Sequence, residues 1–564
     1  MSFIVAILDR LEEAPERTAI ASGAVGSQER RLVTARALRL QVERARRVLR
    51  QIGLRIGDRV ALSAPNGPEW VACDLAVLAE GGVLVPFDPR QAQGDVADLV
   101  RDSGARVFVS PSGAEELPGA SLELVRVSYE DLFEGPAPAR QVPRAVPSDA
   151  LATLIYTSGS SGRPKGAALT RLNLGFMLAQ TEDRLAELTS LPFGAERSLH
   201  YLPLCYAGSR VLLLSCLLRG ARIELLADPR QLGDHLPSSA PDYFLNVPLV
   251  LDRFRRAAEE AVAKKGAPLA RLLREAVAAS ARLEAGGGRL RDRLILAAAR
   301  KTVLAPIRAR FGPRLRGLIC GSAPLSPETQ SFFHAVGVPV YQGYGLTETS
   351  ALCTLDRPGL IRPGAVGPAL PGVELRLNPE GEIETRGPHV FSGYWGRPEA
   401  TYSAFTRDGW FKTGDAGSCD AEGRWEIGGR LSALLVLSTG HNVPPEPLEA
   451  ALSEGLNEVL GPGYEELLVC VVGHGRPHAA ALVAYPGELP PGSLERALEA
   501  LNGDLPPKAR LHAHLHLREA WSSDGGQLTT NLKLRRREIT ARYASAIGAL
   551  YGERRAPLAA AAGA

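Results

Sequence analysis

The chain has 564 residues, 45% hydrophobic and 23% charged, with a formal net charge of +3. That length exceeds one compact core, so several subdomains are expected, and the near-neutral balance excludes nucleic-acid binding by bulk charge. Seven scattered cysteines without a CxxC pair argue against a disulfide framework and a cysteine metal site, and fit a reducing cytosol.

The opening run MSFIVAILDRLEEAPE has no basic region ahead of its apolar residues, which argues against a signal peptide. No apolar run reaches the roughly 18 residues of a membrane span; residues 211–218 are far too few. Residues 35–53 have helical spacing and many arginines, which predicts an amphipathic helix. Residues 57–62 read as a turn feeding a strand. Pro65 to Trp70 read as a turn and helix start, with Glu69 near the positive end of the helix dipole. That helix should run to about Glu80 and stop at Gly81-Gly82, before a buried-type strand over 83–87. Strand, helix and strand in this rhythm predict an α/β sheet domain. The Pro-rich residues 135–147 read as an exposed connection.

An apolar run over 151–156 leads into Thr157, Ser158, Gly159, Ser160, Ser161, Gly162, Arg163, Pro164, Lys165 and Gly166. Glycines let the backbone turn tightly and approach a ligand, and successive free N–H groups make a concave anion site. Hydroxyls add donors, and Lys165 adds a point charge suited to phosphate. The Walker A spacing is absent. For an arbitrary Gly/Ser run, a flexible surface loop is the default reading.

The segment LHYLPLCYAGSR, residues 199–210, contains Tyr206 and Ser209. Tyr206 reads as a packed aromatic with a satisfied hydroxyl. Residues 253–316 hold 17 Lys/Arg against 5 Asp/Glu. A solvated basic face is the default there; a surface for anionic lipid head groups or for coenzyme A phosphates is the sharper reading. Gly286-Gly287-Gly288 should break that region into at least two helices.

A short strand over 316–320 ends in Gly321 and Ser322, and Ser326-Pro327-Glu328 opens a helix. A strand over 338–341 ends in Gln342, Gly343, Tyr344, Gly345, Leu346, Thr347 and Glu348. Both loops follow strands, where open α/β sheets bind ligands. Asp415, after a tight glycine turn, can accept two sugar hydroxyls, and Arg430 can fork onto ribose or phosphate oxygens. A small C-terminal α/β domain follows residues 431–433.

The string TSGSSGRPKG resembles the phosphate-binding signature of the adenylate-forming superfamily. GSAPLSPETQSFFHAVGVPVYQGYGLTETS and GQLTTNLKLRR resemble its long-chain acyl-CoA synthetase branch. The resemblance runs from about Gly57 to Tyr551, with five motifs in family order. It implies an α/β fold with a large multi-subdomain N-terminal region over 1–430, its β-sheets flanked by helices. A hinge at 431–433 and a small mobile C-terminal α/β lid over 434–564 complete it. The activity implied is ATP-dependent conversion of a medium-to-long-chain fatty acid to an acyl-adenylate, then thioester formation with coenzyme A.

By the same resemblance, Thr157 to Lys165 cradle the β and γ phosphates, and Gly321, Ser322, Gly343 and Gly345 belong to the adenine and magnesium motifs. Tyr344 stacks on adenine, Thr347 bonds the α-phosphate, and Glu348 holds Mg²⁺. Asp415 and Arg430 hold the ribose, and Lys533 bridges carboxylate and α-phosphate. Gly440 lets the backbone line a passage for the pantetheine arm. Tyr206 and Ser209 stand where that branch has histidine and glutamate, and Ser432 and Ala433 where its hinge carries charged side chains. Two other readings stay open: a carrier-protein acceptor, and a catalytically weakened nucleotide- or acyl-binding paralogue. Expected partners are the fatty acid and coenzyme A, with no nucleic acid. The expected location is the cytoplasm, with peripheral contact at the inner face of a membrane left to the basic helical segment. Acyl chain length and oligomeric state are not written in the sequence.

Overall fold

The computed structural model describes residues 2–552 except 24–29, 113–116, 118–123, 137, 158–163, 285, 440, 462, 465, 523–524 and 530–532. The chain divides into two compact units. The larger comprises Met1–Pro248, Glu275–Thr413 and Cys419–Glu426; the smaller comprises Leu249–Arg274, Gly414–Ser418 and Ile427–Ala564.

Two sheets organise the larger unit. One has seven strands, in the order Gly393–Tyr394, Lys165–Thr170, Leu151–Thr157, Val83–Phe87, Arg59–Ser63, Val107–Ser110, Val125–Ser128. Its half from Val83–Phe87 to Val125–Ser128 is parallel. Such strands need both faces covered, so they read as continuous apolar runs; all five residues of Val83–Phe87 are buried. The other sheet has eight strands: Thr354–Leu355, Val340–Tyr344, Gly317–Cys320, Tyr243–Asn246, Arg197–His200, Arg222–Leu225, Thr18–Ser22, Arg31–Thr34.

Helix Pro68–Ala79 begins with proline at its first position and Glu69 in its first turn, and nearly all its residues are buried. Gly81, at φ +76°, turns the chain after it. Asp74 of this helix accepts a forked pair of bonds from Arg210 of helix Ala207–Leu218, at 2.8 and 2.6 Å, with both side chains 1% exposed. The short apolar stretch at 211–218 is therefore a buried helix, and among the described residues no helix is long and apolar enough to cross a membrane.

Helix Ala35–Gln51 is capped by the Thr34 hydroxyl, which accepts from the Ala37 N–H. Its arginines do two jobs. Arg46 pairs with Glu80 and Glu43 at 2.8 Å, which satisfies charges that burial would otherwise make costly. Arg46 also donates to the carbonyls of Gln141 and Val142, and Arg47 to those of Glu134 and Pro136. The Pro-rich segment is thus strapped to this helix through its backbone.

The basic region folds as four helices, Pro248–Ala263, Ala267–Glu284, Leu290–Lys301 and Leu304–Ala309, with Gly286 at φ +77° between the second and third. In the smaller unit, strands Leu468–Val472, Ala479–Ala484 and Leu511–Leu517 form one sheet. The two-residue alternation of strands sorts its side chains. Val469, Val471, Ala481 and Val483 pack on Leu448, Leu452 and Leu494 from helices Pro445–Leu460 and Ser493–Asp504. Cys470, Val472, Ala480 and Leu482 pack on Trp521, Leu528, Ile539 and Ile547.

Candidate active site

Strands Leu151–Thr157 and Lys165–Thr170 pair antiparallel, with Thr157 opposite Lys165 and Tyr156 opposite Gly166. The two residues that bound the Gly/Ser run, Thr157 and Lys165, are therefore fixed in the sheet. Ser158, Gly159, Ser160, Ser161 and Gly162 lie outside the described residues, as does Gly440.

Strand Gly393–Tyr394 continues the sheet beside that pair, setting Tyr394 opposite Ala167. The Lys165 ammonium lies 5.2 Å from the Tyr394 ring centroid, within cation–π range. The hydroxyl of the same tyrosine donates to Glu348 Oε1 at 2.8 Å. The Glu348 carbonyl accepts from the Phe391 N–H at 2.8 Å. Lys165 and Glu348 are thus joined through one aromatic side chain. The sequence reading did not single out Tyr394. Its one local signal is the glycine before it, Gly393, at φ +137°.

Strands Gly317–Cys320 and Val340–Tyr344 lie side by side and parallel, Cys320 opposite Gln342. Their ends bring Gly321 and Gly343 together: a Cβ on Gly321 would lie 3.1 Å from the Gly343 carbonyl oxygen. The strand extends further than the expected 338–341, because Gly343 and Tyr344 pair antiparallel with Leu355 and Thr354. Gly343 and Tyr344 are therefore strand residues, and Tyr344 is buried. The chain then turns sharply. Thr347–Thr349 forms a single 3₁₀ turn, and the Leu346 N–H donates to the Thr349 hydroxyl. A Cβ on Gly345 would lie 2.2 Å from the Ala351 carbonyl oxygen, so this position excludes any side chain. Ser322 (φ +75°), Ser350 (φ +53°) and Ala351 (φ +95°) all hold left-handed backbone without being glycine. Such strain concentrates at functional sites.

Among the described residues no group of three or more His, Cys, Asp or Glu side chains could hold a metal. One anchored carboxylate, Glu348, is a donor set that fits Mg²⁺, which takes one or two carboxylates and completes its shell with substrate phosphates and water.

The smaller unit collects Asp415, Arg430 and Lys533. Gly414, at φ +74°, presents Asp415, whose carboxylate accepts from Arg430 Nε at 2.9 Å. Lys533 lies in the segment closed by the Leu528–Leu534 bridge. Its N–H donates to the Thr529 hydroxyl and its carbonyl accepts from the Thr529 N–H. Leu528 anchors this segment in the core, and the Arg536 guanidinium forks onto Glu449 beyond it. The Lys533 residue as a whole is exposed, but its amine is crowded. Removal from water first, and Arg430 second, lower it to about 8, with Asp415 opposing. Burial likewise raises the Glu446 carboxyl above the ordinary range; it packs against the backbone of Gly429.

Tyr206 precedes helix Ala207–Leu218, and its hydroxyl reaches Asp88 at 3.3 Å; burial raises its phenol. The two helices Arg171–Thr189 and Ala207–Leu218 and the strand ends enclose a cavity of about 50 Å³. Leu185, Val211, Leu212, Leu245, Ile319 and Leu352 line it.

Residues 8–395 match the family described as AMP-binding enzyme. Over 558 residues, 91% of each chain, the protein is 31% identical to long-chain-fatty-acid–CoA ligase FadD15 of Mycobacterium tuberculosis. Over 567 residues it is 27% identical to long-chain-fatty-acid–CoA ligase 6 of Homo sapiens, covering 87% of this chain and 78% of that one. Among solved structures, ATP-bound MatB from Rhodopseudomonas palustris superposes with a TM-score of 0.71 at 24% identity, covering 96% of this chain and 98% of that one. The A domain of the carboxylic acid reductase from Segniliparus rugosus gives 0.75 at 19% identity, covering 98% and 94%. The structural likeness carries the fold, and the sequence likeness carries the descent. The chain belongs to the AMP-binding enzyme family, on its long-chain fatty-acid–CoA ligase branch.

Proposed function

We propose that the protein is an AMP-forming acid–thiol ligase that joins a fatty acid to coenzyme A at the expense of ATP. One observation carries this reading. A chain alike to a named ligase over 91% of its length carries Lys165, Glu348, Asp415, Arg430 and Lys533, charged groups suited to holding ATP and activating a carboxylate.

A carboxylate is a poor electrophile because its leaving group would be oxide. In the first half-reaction a carboxylate oxygen bonds to the α-phosphorus of ATP and the bond to pyrophosphate breaks. In the second, the thiol sulfur of coenzyme A bonds to the acyl carbon and AMP leaves. Both anions must be held in line against their mutual repulsion. Thr157, the Gly/Ser run and Lys165 take the β and γ phosphates. Glu348, oriented by Tyr394, holds Mg²⁺, which when bound offsets triphosphate charge. Thr347 bonds the α-phosphate, Gly321, Ser322, Gly343 and Gly345 shape the nucleotide seat, and Tyr344 packs on adenine. Asp415 and Arg430 take the ribose. Lys533, as its ammonium, bridges the reacting carboxylate and α-phosphate.

The short turn Leu431–Ala433 serves as the pivot between half-reactions, and Gly440 lines the pantetheine path. The test is pyrophosphate release with ATP, Mg²⁺ and a panel of fatty acids, with and without coenzyme A. Acid-dependent release that rises with coenzyme A supports the ligase. Release indifferent to coenzyme A indicates another acceptor, and no release from protein that binds ATP overturns the reading.

A further inference from the structure

Within the larger unit, residues 275–316 contain ten Lys/Arg and three Asp/Glu. Helix Leu290–Lys301 carries the most unusual part of this segment. Its inner face is fixed: Leu296 and Ala299 are buried, and Asp292 pairs with Arg282 at 2.5 Å. Its outer face presents Leu290 and Leu294, 72% and 63% exposed, one turn apart and continued by exposed Ala297 and Ala298. Arg291, Arg293 and Lys301 flank that stripe and are exposed; none of the three forms an ion pair among the described residues. Beside the stripe opens a cleft of about 500 Å³ with Leu283, Leu296 and Ala297 as its floor and Arg293, Arg300 and Lys301 at its edge.

Single exposed leucines are ordinary, and a basic helix face is usually just solvated. Two leucines in line on a rigidly mounted helix, bordered on both sides by unneutralised cations, are a different pattern. It is that of a helix lying in a membrane interface, apolar stripe down and cations level with the phosphates.

We propose that Leu290–Lys301 is a docking helix for a bilayer containing anionic phospholipid. Leu290 and Leu294 enter the head-group boundary, and Arg291, Arg293 and Lys301 meet lipid phosphates. The inference stands on exposure and charge alone and does not depend on the ligase reading.

The experiment sediments the full-length protein with vesicles of phosphatidylcholine, and of phosphatidylcholine mixed with phosphatidylglycerol, across a salt series. Affinity for the anionic vesicles should exceed that for the neutral ones and fall as salt rises. Each cation near the surface is worth roughly fivefold, so Arg291→Gln with Arg293→Gln should weaken binding about 25-fold. Leu290→Ser with Leu294→Ser should weaken it by about tenfold or more. Both double variants should keep the parent's melting temperature and its pyrophosphate release from soluble acid. Equal affinity for the two vesicles, salt-independent binding by the parent, or a folded double variant that binds like the parent would each overturn the proposal.

Discussion

The Tyr394 hydroxyl is bonded to the Glu348 carboxylate at 2.8 Å, while the Tyr394 ring supports the Lys165 ammonium from 5.2 Å. The two contacts are separable. Tyr394→Phe keeps the ring and removes the bond to a charged acceptor, worth about 1.5–3 kcal/mol. Adenylation should fall by about tenfold or more, and the Mg²⁺ concentration for half-maximal pyrophosphate release should rise. Tyr394→Leu should also weaken ATP binding, because Lys165 then loses its platform. A phenylalanine variant with unchanged Mg²⁺ dependence would remove Tyr394 from the site.

Lys533 should be needed for one half-reaction and dispensable for the other. Lys533→Ala should reduce adenylation by ~10²–10³, the usual cost of one transition-state donor. Thioester formation from supplied acyl-adenylate should survive better. Since the amine is lowered from 10.5 to about 8 and the ammonium is the working form, deprotonation removes activity. kcat/KM for adenylation, which reports the free enzyme, should therefore fall as pH rises through about 8. Lys533→Arg should abolish that alkaline limb, whatever its residual rate. An unchanged limb in the arginine variant would assign it to another group.

Gly345 offers a steric test with an internal control. In Gly345→Ala the new Cβ meets main chain on Ala351 and Leu352, which cannot rotate away, and overpacking of this kind costs about 1–3 kcal/mol. The melting temperature and ATP affinity should fall together. Gly409, at φ +84° with open space around it, should cost only ~1–2 kcal/mol as alanine, the left-handed penalty alone, with ATP affinity intact.

Asp74 and Arg210 form a buried pair whose loss and replacement should differ. Asp74→Asn strands a buried guanidinium and should destabilise the protein by about 3–5 kcal/mol in urea unfolding. Replacing both partners with apolar residues of similar volume should recover most of that loss.

Much of the scaffold was legible because local chemistry and tertiary packing agree there. The helix expected over 35–53 is observed as Ala35–Gln51, and the strand expected over 83–87 as Val83–Phe87. Periodicity, a threonine cap and a glycine stop specify these elements without distant partners. The helix break expected at Gly286-Gly287-Gly288 is found as well. Strand Val340–Tyr344 runs past its expected end because pairing with Thr354–Leu355 supplies hydrogen bonds that lie outside any local window. Tyr394 escaped for the same reason. Its partner Glu348 is 46 residues away, and a tyrosine after a glycine has no chemistry of its own until the sheet places it. Most of the cavity wall is leucine, isoleucine and valine, which carry no mark separating a ligand surface from core. Position along the chain does not reveal that residues 249–274 and 414–418 group with the smaller unit, since that grouping arises only from contacts in space.

At four positions the strap is held by what every residue has. Arg46 and Arg47 grip carbonyl oxygens of Glu134, Pro136, Gln141 and Val142, and carbonyls are the same under any side chain. Those four positions can therefore drift in sequence while their contacts stay fixed, and the burden of specification moves to two guanidinium groups on another element. Saturation mutagenesis would show this as an asymmetry: near-silent positions at 134, 136, 141 and 142 that depend on a pair of distant arginines, beside sensitive Arg144, whose side chain pairs with buried Glu80.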